Sequence, residues 1–309
     1  MERLTEYTLQ SEEIRMELAT PITIYWDLPL DIQDTSVLQR TCSEIANCSP
    51  LMLQIYSKSV QPEAGLAFVL EQLHGSQIAI SITIPVNTLQ SLSNQFINGV
   101  AAKELLLYSE SLADLTEWVK AGKAVVPQTT LGIAFSATQA NWRELPEVVR
   151  CCRNNGINRL ILPMQRLYNN EPPFFISNLE QQELADALAQ SGGMSGLNLT
   201  IHDPFLWRAF NPAIPFPQAG CQAANTMIAI APDGGVYPCP TLPVRLGSLC
   251  ESRLKQIISS TLKKQFRRSL LQPPAACQEC GEIEVCRGGC RGRGFSLQGS
   301  LDALDIACK

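Results

Sequence analysis

No run of eighteen consecutive apolar residues occurs in this 309-residue chain, so no transmembrane helix is expected. The start, MERLTEYTLQSEEIRMEL, is charged and lacks the apolar centre of a secretory signal. A cytoplasmic location is the expectation that follows. Also missing are paired catalytic carboxylates, a Ser/His/Asp set and a phosphate-cradling glycine loop. Gly192-Gly193 has no lysine after it. These gaps leave no hydrolase or nucleotide-binding signature to read. Charge is modest at 17% of residues, and the net charge is −5. It is uneven: residues 1–220 carry 13 Lys+Arg against 22 Asp+Glu, whereas residues 221–309 carry 11 against 7. That second excess is too small to suggest a nucleic-acid partner.

What is present is an ordinary globular composition, 45% hydrophobic, with twelve cysteines. A chain this long can build a sizeable core, so it does not need cysteine staples. In a reducing compartment, that many thiols point to metal more than to disulfides.

From about residue 20, apolar runs alternate with helical patterns. Strands are expected at Ile22–Leu28, Leu51–Ser57, Ile78–Pro85, Glu104–Tyr108, Thr130–Ser136, Arg159–Pro163 and Leu197–His202. Helices are expected at Pro62–His74, Thr88–Gly99, Ser111–Ala121, Asn141–Asn154 and Asn178–Gln190, with Ser111 and Asn141 as N-caps. Gly99 and Gly156 read as helix stops. Repeated βα units imply a parallel sheet, and this many units suit a partial or complete (β/α) barrel. A Pro-rich break over Phe205–Gly220 marks the expected boundary between residues 1–210 and residues 211–309. Beyond it, Met227–Ala231, PDGG and Val236–Cys239 read as a β-hairpin. Ser252–Leu271 reads as one amphipathic helix with a solvated basic face, KKQFRRS, stopped by Pro273-Pro274.

The cysteines crowd toward the end. CQECGEIEVCRGGCRGRG, from Cys277 to Gly294, holds four of them as C-x2-C-x5-C-x3-C. A C-x2-C turn aims two sulfurs at one point. Gly288 and Gly289 would let the backbone wrap a cofactor without a side chain in the way. Zinc and an iron–sulfur cluster look alike at this level, and both stay open.

The order Cys221, Cys239, Cys277, Cys280, Cys286, Cys290, Cys308, together with AIAPDGGVYPCP and CRGGCRG, resembles the SPASM domain. That domain is the C-terminal extension of many radical SAM peptide-modifying enzymes. The resemblance implies a partial (β/α) barrel of radical SAM type carrying a small iron–sulfur domain with two [4Fe–4S] clusters. By position, Cys277, Cys280, Cys286 and Cys308 would hold one cluster. Cys221, Cys239 and Cys290 would hold the other, where Asn225-Thr226-Met227 replaces a cysteine that some members carry. Cys250 could fill that fourth position, but packing at the start of the following helix is the preferred reading.

The family also has a C-x3-C-x2-C motif after its first strand and a Gly-Gly-Glu type segment after the second. Here the corresponding stretches are PLDIQDTSVLQR and LQIYSKSVQPEAG, with neither. Cys42 and Cys48 are spaced by five residues and have no third thiol nearby. SAM binding and SAM cleavage by this chain alone are therefore not expected. In that respect the chain resembles the GeoRSP system SPASM domain proteins. The resemblance implies an accessory role in electron transfer or peptide holding. Its implied partners are a radical SAM/SPASM enzyme, a PqqD-like peptide chaperone and a precursor peptide, with no nucleic acid or membrane. A radical SAM-type enzyme completed by a partner or by unusual ligands and a zinc-stabilised binding module are the alternatives.

The remaining candidates read more simply. His202, just past the last barrel strand, is a structural histidine or a ligand. Asp203-Pro204 shapes the turn into the linker. Asp27 ends the first strand, where a site would face. Cys151-Cys152, Cys42 and Cys48 read as small buried hydrophobes.

Overall fold

The computed structural model describes residues 17–30, 35–122, 129–169, 171–214 and 220–308. The charged start (1–16), residues 31–34 of the loop after the first strand and residues 215–219 of the Pro-rich break lie outside the described residues.

Seven strands run in chain order: β1 Thr23–Asp27, β2 Met52–Tyr56, β3 Ala79–Pro85, β4 Glu104–Ser109, β5 Thr130–Phe135, β6 Arg159–Leu162 and β7 Asn198–Ile201. Each neighbours the next, and all are parallel. Helices α1 Thr35–Cys48, α2 Glu63–Gln72, α3 Asn94–Gly99, α4 Leu112–Lys120, α5 Leu145–Asn154 and α6 Asn178–Gln190 lie between them. The result is the expected partial (β/α) barrel, with every strand within one residue of its sequence reading at either end.

Successive side chains point to opposite faces of a strand. One face sends Ile24, Trp26, Leu53, Ile55, Ile82 and Ile84 into the core beneath the helices. The other face carries Tyr25, Tyr56, Thr83 and Tyr108, which line a small space inside the barrel. Glu104 and Arg159 also sit on that inner face. Arg159 Nε donates to Glu104 Oε1 at 2.9 Å and Nη1 donates to Thr200 Oγ1 at 2.8 Å. The strands look uniformly apolar because one face is aliphatic, while the other hides polar groups.

Two helix expectations are refined. Thr88–Gly99 divides into a 3-10 turn at Val86–Ser91 and α3, restarted by Ser93, whose Oγ accepts the Phe96 amide at 3.1 Å. Asn141 stands at the N-cap position of a 3-10 turn, Trp142–Glu144, but its side chain makes no capping hydrogen bond. Its side chain accepts from the Thr138 amide and donates to the Glu110 and Ser136 carbonyls, stitching two loops, and α5 starts only at Leu145. Ser111 does cap α4, accepting the Asp114 amide at 3.3 Å.

After α7 Pro204–Phe210, the predicted hairpin forms as β8 Met227–Ile230 and β9 Gly235–Tyr237, followed by β10 Gly247–Ser248. It does not stand apart. β8 pairs parallel with β1, in register Thr23 to Met227, so one ten-stranded sheet runs from β10 to β7.

The single helix expected at Ser252–Leu271 is two: α8 Leu254–Ser259 and α9 Thr261–Leu271. Ser260 is the break, extended at φ −65 and ψ 153, and its Oγ accepts the Lys263 amide. The expected solvated basic face holds for Lys264 and Arg268, which are exposed, and is corrected for the other two cations. Lys263 and Arg267 are buried, Lys263 against Glu17 at 2.6 Å. Two short helices close the chain, α10 Ile283–Cys286 and α11 Arg291–Gln298.

Candidate metal centre

Seven of the thiols line two cavities. Cys221, Cys239 and Cys290 face one of about 270 Å³, together with His202, Thr241 and Arg291. Cys277, Cys280, Cys286 and Cys308 face another of about 250 Å³, together with Arg208 and Asp305. Cys286 and Gly289 line both, so the cavities share a wall. All twelve cysteines are free thiols.

Local backbone explains the convergence. The Cys280 amide donates to the Cys277 carbonyl at 3.0 Å, which closes the C-x2-C turn. α10 ends at Cys286 through Arg287, Gly288 and Gly289, at φ +50, +93 and +64. That left-handed run reverses the chain and delivers Cys290 to the start of α11. Here the expectation for the glycines changes. A Cβ on Gly288 would lie 2.5 Å from Pro274 Cδ, and one on Gly292 would lie 2.1 Å from the Thr241 carbonyl oxygen. Contact between protein segments, together with positive φ at Gly288 and Gly289, makes these residues glycine.

Three arginines hold the frame from inside. Arg291 donates to the carbonyls of Leu301 and Gln272. Arg293 pairs with Asp305 at 2.6 Å and also with Asp203. Asp305 in turn accepts the Cys290 amide at 2.6 Å. Arg267 donates to the Cys221 carbonyl at 2.5 Å. All three side chains are buried. The sequence reading missed Arg291 and Arg293, although arginine spaced between glycines in CRGGCRGRG was a usable signal, and it read Arg267 as solvated.

Burial sets the thiol chemistry. It pushes Cys290 up to about 12, and it raises Cys221, Cys239, Cys277, Cys286 and Cys308, with neighbouring thiols adding to the effect at Cys239, Cys277 and Cys308. Such thiols ionise readily only beside a counter-charge, and a bound metal supplies one. Among the described residues, no three His, Cys, Asp or Glu side chains converge tightly enough for a single metal ion. The thiols surround open space instead, with soft sulfur donors throughout. That donor set and those cavities fit a polynuclear iron–sulfur group.

The remaining cysteines stand apart. Cys42, Cys48 and Cys152 are buried among aliphatic neighbours, with burial raising them to about 12, 11 and 12. Cys151 is half-buried. Cys250 does not pack at a helix start as expected. It is exposed, with its sulfur 3.8 Å from the Asp233 carbonyl oxygen, and it lines neither thiol cavity.

The barrel mouth is built differently. Asp27, at the end of β1, is buried and paired with Arg166 at 3.2 Å. Tyr168 donates its hydroxyl to the same carboxylate. The Arg166 guanidinium lies 4.7 Å from the Tyr56 ring centre, and Tyr168 stacks on Tyr237 at 5.0 Å. Arg166 and Tyr168 come from the loop after β6, which carried no sequence motif. His202 directly follows β7, and its Nε2 meets the Tyr25 hydroxyl at 3.2 Å. Burial, and then Arg159, push its pKa down to about 4. Asp203 shapes the turn as expected, accepting the Phe205 and Leu206 amides.

Residues 221–281 match a family described as SPASM, an iron-sulfur cluster-binding domain. Through this region the chain is related to the radical SAM/SPASM peptide-modifying enzymes. The PqqA peptide cyclase of Granulibacter bethesdensis is 34% identical over 89 residues, 28% of this chain and 24% of that protein. A cysteine-type anaerobic sulfatase-maturating enzyme of Clostridium perfringens is 29% identical over 80 residues, 25% of this chain and 22% of its own length. The matched stretches thus span about a quarter of these relatives. Similarity of fold reaches much further. Streptococcus suis SuiB bound to precursor peptide SuiA superposes with a TM-score of 0.67 at 14% identity, over 99% of this chain and 80% of that one. The structure of anSMEcpe with bound AdoMet gives 0.63 at 13%, over 93% and 94%. None of the helices among the described residues is long and apolar enough to cross a membrane.

Proposed function

We propose that this chain is an accessory iron–sulfur protein of a peptide-modification system. In this reading, residues 211–309 hold two [4Fe–4S] clusters and residues 1–210 are a barrel that no longer starts radical chemistry. Cys277, Cys280, Cys286 and Cys308 would hold one cluster, and Cys221, Cys239 and Cys290 the other. When bound, such clusters supply one-electron redox capacity at potentials set by ligands, hydrogen bonds and exposure. The chain's own residues do the rest. The paired cavities keep the two sets apart by a single wall, and the arginine frame fixes the carbonyls and amides beside them.

One observation carries the accessory role. The chain that leaves β1 has no cysteine in LPLDIQD, and the carboxylate at its head is tied down by Arg166 and Tyr168. A stretch without cysteine, beside a carboxylate already held in an ion pair, leaves no thiol set for an iron–SAM complex. The partners in this reading are a complete radical SAM/SPASM enzyme, a PqqD-like peptide chaperone and a ribosomally made precursor. They share a cytoplasmic setting that keeps the thiols reduced.

The test is anaerobic reconstitution with iron and sulfide, followed by incubation with SAM and dithionite. Iron and sulfide should load to two clusters, with no 5′-deoxyadenosine above a cluster-free control. Nucleoside formation by this chain alone would sink the accessory reading. It would favour the second reading, an enzyme with unusual ligands, which the extensive fold similarity to AdoMet-bound structures supports. Zinc without sulfide would replace both with a zinc-stabilised module.

A further inference from the structure

Three thiols serve three corners of a four-iron cluster, and the fourth iron needs another donor. No eighth thiol reaches the Cys221/Cys239/Cys290 cavity for that purpose. Cys250 lies outside it, and Cys286, on the shared wall, completes the four-thiol set. The other donor-bearing side chains around this cavity are mostly committed. Asp203 Oδ1 caps α7, and Oδ2 is paired with Arg293. Gln222 Oε1 accepts from Asn225 at 3.1 Å. Thr241 Oγ1 already lies 3.3 Å from Cys239 Sγ. Met164 and Met227 offer only thioethers, which are weak donors beside imidazole.

His202 differs from all of them. It follows β7 directly, is exposed, and lines the cavity alongside Met227 and Cys239 of the hairpin. One ring nitrogen is fixed by the Tyr25 hydroxyl, and among the described residues the other has no hydrogen-bond partner. A ligating histidine characteristically has one nitrogen oriented by an outer hydrogen bond and the other left for the metal. Tyr25 on β1 therefore acts as the positioning residue for His202.

We propose that His202 is the fourth ligand at the Cys221/Cys239/Cys290 set, so that this cluster is held by three cysteines and one histidine. The assignment rests on the reading that the set binds an iron–sulfur cluster. It makes this the cluster with the more positive potential, because a neutral imidazole replaces an anionic thiolate.

The chain has only two histidines, and the other, His74, is exposed beyond α2, so labelling is unambiguous. The experiment is pulsed EPR on the full chain, grown with 15N-histidine, reconstituted anaerobically and reduced with dithionite. One of two cluster signals should carry a directly bonded histidine nitrogen. His202→Ala should lose that coupling and leave the signal of the four-thiol set unchanged. His202→Cys should keep both clusters and shift the affected one to a lower potential. Iron and sulfide loading without a histidine coupling, or a coupling that survives His202→Ala, overturns this assignment alone. Failure to load iron and sulfide overturns the cluster reading and the assignment together.

Discussion

Asp27 and Arg166, 139 residues apart in sequence, meet at 3.2 Å across the mouth of the barrel, each nearly shut off from solvent. A single charge in that position would be costly, and removing one partner strands the other. Asp27→Ala should therefore destabilise the chain by about 3 kcal/mol, read as a lower denaturant midpoint. Iron loading of the folded variant should be unchanged, because neither thiol cavity includes Asp27. A variant as stable as the parent would show that the pair does not close the mouth.

The two thiol sets should titrate separately. Cys280→Ser is expected to remove about half of the iron and sulfide, and Cys239→Ser the other half, while Cys250→Ser removes none. Metal analysis after anaerobic reconstitution reads all three. Equal losses from Cys250→Ser and Cys239→Ser would contradict the partition.

Gly292→Ala probes the contact between α11 and the segment after β9. The new methyl would meet the Thr241 carbonyl oxygen at 2.1 Å, and backbone cannot swing aside as a side chain can. Overpacking of this kind costs about 2 kcal/mol. The melting temperature should fall, and iron should be lost first from the set containing Cys239, two residues before Thr241. Gly281→Ala, where a methyl would meet nothing within 4 Å, is the control.

His202 gives the metal-free chain a pH-dependent stability. Its folded pKa, about 4, lies below the ordinary histidine value of 6.5. Between those values the unfolded chain binds the proton and the folded chain does not, so stability falls as pH drops from 6.5 toward 4. Above 6.5 the residue contributes no slope. His202→Gln should flatten that part of the melting profile, as measured by thermal denaturation at fixed ionic strength. An unchanged slope would assign the pH response to other groups.

The strands were legible because each is a short apolar run between polar or Pro/Gly residues, and such runs alternate regularly with helical patterns. The crowding of thiols and the C-x2-C turn were legible from spacing, whereas the division into two sets came only with the SPASM resemblance. Long-range partners were not legible. Nothing near Asp27 announces Arg166, and nothing in Met227–Ile230 announces that it will pair with β1. The break at Ser260 escaped because serine is only mildly unfavourable within a helix, and its cap on Lys263 becomes visible only in three dimensions. Lys263 and Arg267 looked solvated because charge usually is. Their burial follows from Glu17 and from the carbonyls of Cys221 and Ala223, distant partners that no local pattern encodes.

The pairing of β8 with β1 bears on what the barrel does for the thiol module. A chain severed before Gly220 would leave both strands as raw edges, each presenting unpaired amides and carbonyls to any passing β-segment. The barrel thus covers the open edge of the first strand of the thiol-bearing segment. That edge-sealing role stands apart from any chemistry at the barrel mouth, in the way a keystone need carry no inscription.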